Sequence, residues 1–173
     1  MKYQKINKAD ICNGPGVRCS VFVSGCSIRC KGCFNAEAWD FKCGKEFTTD
    51  TIVEILKYLE PDHISGLSIL GGEPFDQESE LLVDLVEQVR SKYPEETIWC
   101  WTGYEFDQIK DRELTKYLDV AVCGPFKLDL RDISSNNLYR GSTNQHVINI
   151  QKSLAENRSI PLEGIPNNII KEN

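Results

Sequence analysis

Short apolar stretches and longer amphipathic stretches alternate along the chain, and this alternation predicts strands and helices in turn. Five stretches have the β-branched and aromatic content that is typical of strands. They are residues 17–24, 66–70, 97–102, 119–123 and 146–150. We therefore expect a strand-then-helix order through most of the chain.

Apolar residues recur at helical spacing between these predicted strands. Segment 50–59 has one apolar face, and Thr51 with Glu54 forms a predicted capping box at its start. A second helix is predicted after Asp76, which is its expected N-cap, and a weaker helix is predicted at 106–118.

Alternating strands and helices favour parallel strand pairing with right-handed crossovers. The strands are too few for a closed eight-stranded barrel. We predict the α/β class, as a partial, open (shortened) α/β barrel with parallel strands, and a doubly wound sheet is the alternative. Residues 1–156 form one predicted domain, and the polar tail 157–173 is expected to be loosely ordered or bound to a partner.

Glycine-containing loops follow four of the predicted strands, at 24–26, 71–73, 102–104 and 123–125. Parallel strands place their carboxyl ends on one rim, where α/β proteins build their sites. We expect the four loops to surround a single cleft. Segment 140–145 precedes a strand, so we expect it at the opposite rim unless its loop folds back.

Composition narrows the kind of protein. The net charge of the 173 residues is −6 and no concentrated basic face is evident, which argues against nucleic-acid and anionic-membrane partners. The N-terminus is polar and no segment has the roughly 20 apolar residues of a membrane helix. We expect a cytoplasmic protein, in which the eight cysteines do not form a disulfide framework, and metal ligation is favoured for the group of six within the first quarter of the chain.

Three cysteines, Cys26, Cys30 and Cys33, are close enough in sequence to share one loop. Three thiolates can hold three irons of a 4Fe–4S cluster and leave the fourth iron open to a substrate. Structural zinc, or a cluster with four protein ligands, is the alternative. Candidates for such a fourth ligand are Cys12, Cys19 and Cys43.

Residues 26–33 resemble the CxxxCxxC signature of the radical S-adenosylmethionine superfamily, and Gly71-Gly72-Glu73-Pro74 resembles its GGE motif. Segment 13–18 and the residues Phe34-Asn35 and Trp39-Asp40 resemble the glycyl-radical-enzyme activases. Segments 101–104, 123–126 and 140–145 narrow the similarity to activases of anaerobic ribonucleoside-triphosphate reductase. The resemblance covers about residues 8–150.

The resemblance implies two cofactors, a 4Fe–4S cluster and S-adenosylmethionine, which together generate a 5′-deoxyadenosyl radical. It implies an oxidoreductase that installs a glycyl radical on the large subunit of that reductase, with a flavodoxin-type protein as electron donor. A homodimer is left open. A radical enzyme acting on a small molecule is the competing function.

The resemblance also assigns roles to residues. The implied metal ligands are Cys26, Cys30 and Cys33. The implied cofactor-binding residues are Gly32, Phe34, Asn35, Gly71, Gly72, Glu73, Thr102, Gly103 and Tyr104. The candidates for admitting a substrate backbone are Asn13, Gly14, Pro15, Gly16 and Arg18. For Glu73 the choice is between orienting its turn and binding the methionyl ammonium; for Arg18 a surface ion pair is the alternative.

The sequence departs from the family pattern at two positions. Gly32 stands where the superfamily often has an aromatic residue, and Phe34 is the candidate to supply that ring. Cys123 stands where these activases usually have Asp, which puts a carboxylate function there in doubt. Trp99 and Trp101, which lie on one face of a predicted strand, are expected to pack in the core.

Overall fold

The computed structural model describes residues 1–77, 79–131, 133 and 139–164. Its seven strands form one sheet in the order β3-β1-β2-β4-β5-β6-β7. The strands are β1 (Lys2–Asp10), β2 (Val17–Val23), β3 (Lys45–Glu46), β4 (Ile64–Gly71), β5 (Thr97–Trp101), β6 (Val120–Cys123) and β7 (His146–Asn149). The helices are α1 (Thr49–Leu59), α2 (Glu80–Lys92), α3 (Phe106–Ile109) and α4 (Ile150–Glu156).

The four central strands, β2, β4, β5 and β6, are parallel, as predicted. The outer strands β1, β3 and β7 are antiparallel to their neighbours, so the prediction of parallel strands throughout is wrong. The sheet is open, with β3 and β7 at its edges. The α/β class is thus confirmed. Sequence patterning missed β1 because its inward and outward positions do not alternate, and its pairing with β2 is interrupted by register shifts.

Each face of the sheet has its own layer. On the helical face, Val21, Ile69 and Cys100 pack in one buried cluster with apolar residues of α1, α2 and α3. Because side chains alternate along a strand, their neighbours face the other way. On that second face, Trp99 and Val122 belong to a separate small cluster, which Leu162 covers in part.

The helices begin at other caps than the sequence indicated. Thr48 is the N-cap of α1 and forms a capping box with Thr51, so the predicted Thr51–Glu54 box is wrong by one turn. The side chain of Glu54 instead accepts a hydrogen bond from Tyr58. Ser79, rather than Asp76, caps α2. The weaker helix predicted at 106–118 divides into α3 and a 3-10 turn, Leu114–Tyr117.

Part of the predicted tail runs beside the sheet. The Asn149 N–H donates to the Ile160 carbonyl, and the Leu162 N–H donates to the Val147 carbonyl, both at 2.9 Å. Residues 165–173 lie outside the described residues. Within the described ranges, no helix has both the length and the apolarity to cross a membrane.

Candidate metal centre and cofactor cleft

Loops at one rim of the sheet surround a cleft of about 700 Å³. Segments that follow β2, β4, β5 and β6 all contribute to its wall. This confirms the convergence of the predicted loops 24–26, 71–73 and 102–104, whereas the segment after β6 contributes Phe126 instead of a residue of 123–125. The predicted site residues that line the cleft are Asn13, Cys26, Cys30, Gly32, Cys33, Phe34, Gly71, Gly72, Glu73, Thr102 and Gly103. The predicted site residues that lie elsewhere are Gly14, Pro15, Gly16, Arg18, Asn35 and Tyr104.

The loop with the three cysteines is anchored at both ends. At its start, the Cys26 N–H donates to the Trp39 carbonyl at 3.3 Å. At its end, the Cys33 N–H donates to the Cys30 carbonyl at 3.1 Å, and the Asn35 N–H donates to the Cys33 sulfur at 3.4 Å. Asn35 thus supports a predicted ligand from outside the cleft.

The thiols of Cys26, Cys30 and Cys33 are partly exposed and line the cleft. Burial raises the pKa of Cys26 and of Cys30 above the usual thiol value. Binding of iron must therefore displace protons from them. Among the residues that the structure describes, no three His, Cys, Asp or Glu side chains are close enough together to hold a metal ion. This result concerns a single ion; in a 4Fe–4S cluster each cysteine binds a different iron, so the three thiols need not converge on one point.

The donor set fits an iron–sulfur cluster by its chemistry. All three candidate ligands are cysteines, the residues that hold 4Fe–4S clusters. The two histidines, His63 and His146, are not part of the cleft wall, so it lacks the mixed cysteine and histidine set of many zinc sites. The three cysteines are thus the residues that would hold a cluster.

The loop after β4 is pressed against the cysteine loop. The Gly72 N–H donates to the Val23 carbonyl, and the Glu73 N–H donates to the Gly25 carbonyl, both at 2.8 Å. A Cβ atom on Gly72 would lie 2.3 Å from the Gly25 carbonyl oxygen, which no side chain can tolerate. Glycine at this position is required for the close approach of the two loops.

The carboxylate of Glu73 is buried and bound to the next loop of the wall. It accepts hydrogen bonds from the Thr102 hydroxyl at 2.7 Å and the Gly103 N–H at 2.8 Å. Burial raises the pKa of Glu73 to about 7, against the lowering effect of these hydrogen bonds. Two roles were predicted for Glu73, orienting its own turn and binding the methionyl ammonium, and these contacts favour the first.

Tyr104 and Phe34 differ sharply in their placement. The Tyr104 hydroxyl donates to Asp76 at 2.7 Å, and the other Asp76 oxygen accepts the Ser27 N–H at 2.6 Å. Tyr104 thus ties the loop after β5 to the cysteine loop from behind the cleft wall. Phe34 is 88% exposed at the mouth of the cleft.

Arg18 supports the loop before β2, residues 13–16, from the protein interior. This side chain is fully buried and donates to the carbonyls of Leu67 and Thr97 at 2.8 and 2.7 Å. The surface ion pair is therefore wrong, and a substrate cannot reach the guanidinium. Burial lowers its pKa to about 10. A Cβ atom on Gly14, whose φ is +113°, would lie 2.8 Å from the Arg18 Cδ.

The rest of that loop is also fixed from within. The Asn13 carbonyl accepts the Ser68 hydroxyl at 2.6 Å, while its side-chain amide donates to Asp10 at 2.7 Å. The Pro15 carbonyl accepts from Arg18 at 3.4 Å. Gly16 has a φ of +74°. Only Asn13 of the predicted substrate-loop residues reaches the cleft.

Segment 140–145 lies at the cleft rather than at the opposite rim, so that prediction is wrong. The cause is the antiparallel direction of β7, which places the residues before it beside the end of β6. Arg140, Gly141 and Gln145 line the cleft. The Gln145 amide donates to the Gly124 carbonyl at 2.8 Å and so joins the two segments.

Two further wall residues, Trp39 and Trp101, were not predicted to be in the cleft. Trp101, assigned to the core from its strand position, lines the cleft and donates its indole N–H to the Tyr139 carbonyl at 2.7 Å. Trp99 is buried, as predicted. Cys123 faces the helical core instead of the cleft, and burial raises its pKa.

Known proteins with similar sequences also indicate an iron–sulfur site. A family model described as a 4Fe-4S single cluster domain matches residues 12–148. An anaerobic ribonucleoside-triphosphate reductase-activating protein of Enterobacteria phage T4 is 39% identical over 148 residues, 85% of this chain and 93% of the relative. The protein of that name from Escherichia coli (strain K12) is 38% identical over 152 residues, 85% of this chain and 97% of the relative.

Proposed function

The chain belongs to the family of anaerobic ribonucleoside-triphosphate reductase-activating proteins, and we propose that it installs a glycyl radical on the large subunit of such a reductase. The observation that carries the proposal is the meeting of three thiols with the loops after β4 and β5 in one cleft. The thiols would hold a 4Fe–4S cluster with one iron free of protein ligands.

We infer that S-adenosylmethionine binds in this cleft, between the cysteine loop and the wall that Glu73 fixes. When bound, the reduced cluster would give one electron to S-adenosylmethionine, whose C5′–S bond would break into methionine and a 5′-deoxyadenosyl radical; that radical would take a hydrogen atom from a glycine Cα and become 5′-deoxyadenosine. The protein's part is to position the reactants. The buried Glu73 carboxylate orients Thr102 and Gly103, and the tight packing of Gly72 sets the distance between the two loops.

A polypeptide substrate is supported by the apolar mouth of the cleft. Phe34 and Ile133 line it and are 88% and 87% exposed, and Leu128 beside Gly32 is 41% exposed. We call Phe34, Leu128 and Ile133 the apolar rim. Exposed apolar patches are typical of sites where protein partners bind. The open sheet, which we interpret as a shortened barrel, leaves room for a chain segment.

The remaining parts of the proposal concern the electron supply and the cellular setting. An electron donor outside the chain is required, because the sequence contains no motif for a second cluster or a flavin. The family resemblance favours a donor of the flavodoxin type. We place the protein in the cytoplasm, where the cysteines stay reduced. Assembly as a homodimer is compatible with this function.

Electron paramagnetic resonance of the reductase tests the function directly. The reconstituted protein, S-adenosylmethionine, a reductant and the reductase are incubated without oxygen, and a glycyl radical signal is expected on the reductase. Cleavage of S-adenosylmethionine without that signal would favour a radical enzyme for small molecules. A colourless protein that retains zinc in place of iron would leave neither function standing.

A further inference from the structure

The indole N–H of Trp39 is buried and has no hydrogen-bond acceptor among the described residues. Buried donors without partners are rare in native proteins, because each has lost its water without a replacement. Trp101, another tryptophan of the same cleft wall, has its N–H satisfied by the Tyr139 carbonyl at 2.7 Å. The missing acceptor therefore distinguishes Trp39 from its neighbour in the wall.

Trp39 is hydrogen-bonded through its main chain to Cys26, the first cysteine of the loop. It ends the 3-10 turn Ala36–Trp39, and its carbonyl accepts the N–H of Cys26 at 3.3 Å. The preceding carbonyl, of Ala38, accepts the N–H of Gly25 at 2.7 Å. The indole is thus carried by a segment that is bonded to the cysteine loop on two successive residues.

The three thiols and Trp39 line one cleft, and the Trp39 N–H lacks an acceptor among the described residues. Binding of iron would gather the sulfurs of Cys26, Cys30 and Cys33 and add inorganic sulfide. Sulfur atoms with negative charge are acceptors for N–H groups, and a tryptophan N–H can only donate. The same event can give the Trp39 N–H its acceptor.

We propose that Trp39 donates its indole N–H to a sulfur of the iron–sulfur site and thereby raises the reduction potential of the cluster. The inference rests on the cluster of the proposed function. A hydrogen bond to sulfur stabilises the reduced cluster more than the oxidised one, because the reduced form carries one more negative charge. Trp39 is in this sense a positioning residue that tunes the cluster and takes no part in bond cleavage.

Redox titration of the reconstituted full chain without S-adenosylmethionine tests the proposal. Trp39→Phe keeps an aromatic ring and removes the donor, and its midpoint potential is expected to fall by about 59 mV, a tenfold change for one electron. Trp101→Phe is the matched control, since its N–H is already bonded to protein. Equal potentials for wild type and Trp39→Phe would overturn the proposal.

A second measurement covers the case in which Trp39→Phe fails to hold iron. The wild-type protein is labelled with ¹⁵N at the tryptophan indole, and pulsed electron paramagnetic resonance is recorded on the reduced cluster. A ¹⁵N coupling that persists in Trp101→Phe is expected. Its absence in an iron-loaded wild type would overturn the tuning role, whereas a wild type that binds no iron–sulfur cluster would overturn the proposed function itself.

Discussion

The carboxylate of Glu73 and the main-chain N–H of Gly103 form a 2.8 Å hydrogen bond that joins the loop after β4 to the loop after β5. The same carboxylate accepts the Thr102 hydroxyl at 2.7 Å and is almost completely buried. One ionisable group therefore fixes two sides of the cleft wall. Its protonation state is coupled to the stability of the fold.

This coupling predicts an unusual pH dependence. Burial raises the pKa of Glu73 to about 7, so the folded protein holds this proton at pH values where the unfolded chain has lost it. The contribution of Glu73 to stability is therefore largest at low pH and is lost as the pH rises toward 7. As the pH rises to 7, the free energy of unfolding of the wild type should fall by up to roughly 3 kcal/mol relative to that of Glu73→Gln, at about 1.4 kcal/mol per pKa unit.

Urea denaturation of both proteins between pH 4.5 and 7.5 measures this difference. Glu87→Gln, at an exposed position of α2, is the control and should follow the wild type. Parallel pH profiles for wild type and Glu73→Gln would contradict the coupling.

Much of the fold follows from local patterns. The five predicted strands are present within one or two residues, because each combines β-branched residues with a loop at its end. The cysteine loop and the Gly71–Glu73 turn could be placed on one rim because parallel strands share a direction. These features depend on neighbours in sequence or on a single rule of topology.

Other features depend on contacts that no local pattern encodes. The antiparallel direction of β7 places segment 140–145 at the cleft, and strand direction is not visible in the sequence of a four-residue strand. The burial of Arg18 depends on carbonyls of β4 and β5, about 50 to 80 residues away in sequence. The Asp76 carboxylate binds Ser27 and Tyr104 instead of capping α2, for the same reason.

Loss of any one triad cysteine should abolish the cluster. Cys26→Ala, Cys30→Ala and Cys33→Ala each remove one of three protein ligands, and a cluster with two cannot be retained. Iron and sulfide content with visible absorption after anaerobic reconstitution measures the effect. Cys12→Ala is the matched control, because Cys12 lines the same cleft outside the triad. A Cys12→Ala protein without a cluster would indicate a fourth protein ligand and no open iron.

The apolar rim should contribute to recognition of the reductase. Ile133→Ser removes an 87% exposed apolar side chain from the mouth of the cleft and should weaken binding of the reductase about tenfold. Burying such a side chain is worth about 1.5–3 kcal/mol. Val53→Ser, on the outer side of α1 and 50% exposed, is the control. If Ile133→Ser and Val53→Ser bind the reductase with equal affinity in a titration, the apolar rim takes no part in its recognition.

Arg18 should act on stability, because its donors serve only the protein interior. Arg18→Met keeps an unbranched stem, shorter than that of arginine, and leaves the Leu67 and Thr97 carbonyls without the hydrogen bonds of the guanidinium. We expect a loss of about 3 kcal/mol, since each unsatisfied buried acceptor costs about 1–3 kcal/mol. Chemical denaturation measures it, and Arg158→Met, at an exposed site, should change little. An unchanged midpoint for Arg18→Met would contradict the structural role.

The link from Tyr104 through Asp76 to Ser27 should slow the loss of iron. Asp76 is the shared acceptor that holds the residue next to Cys26, and a hydrogen bond to a charged group contributes about 1.5–3 kcal/mol. Asp76→Asn weakens both bonds, and its reconstituted cluster should release iron to a chelator about tenfold faster.

Tyr104→Phe breaks only one of these bonds and should have a smaller effect on the rate of iron release. Because the two residues act through one carboxylate, the double variant should release iron little faster than Asp76→Asn alone. Tyr58→Phe is the matched control, since it loses a tyrosine–carboxylate hydrogen bond on α1, away from the cleft. If the effects of Asp76→Asn and Tyr104→Phe simply add, the two residues support the cysteine loop independently and not as one link.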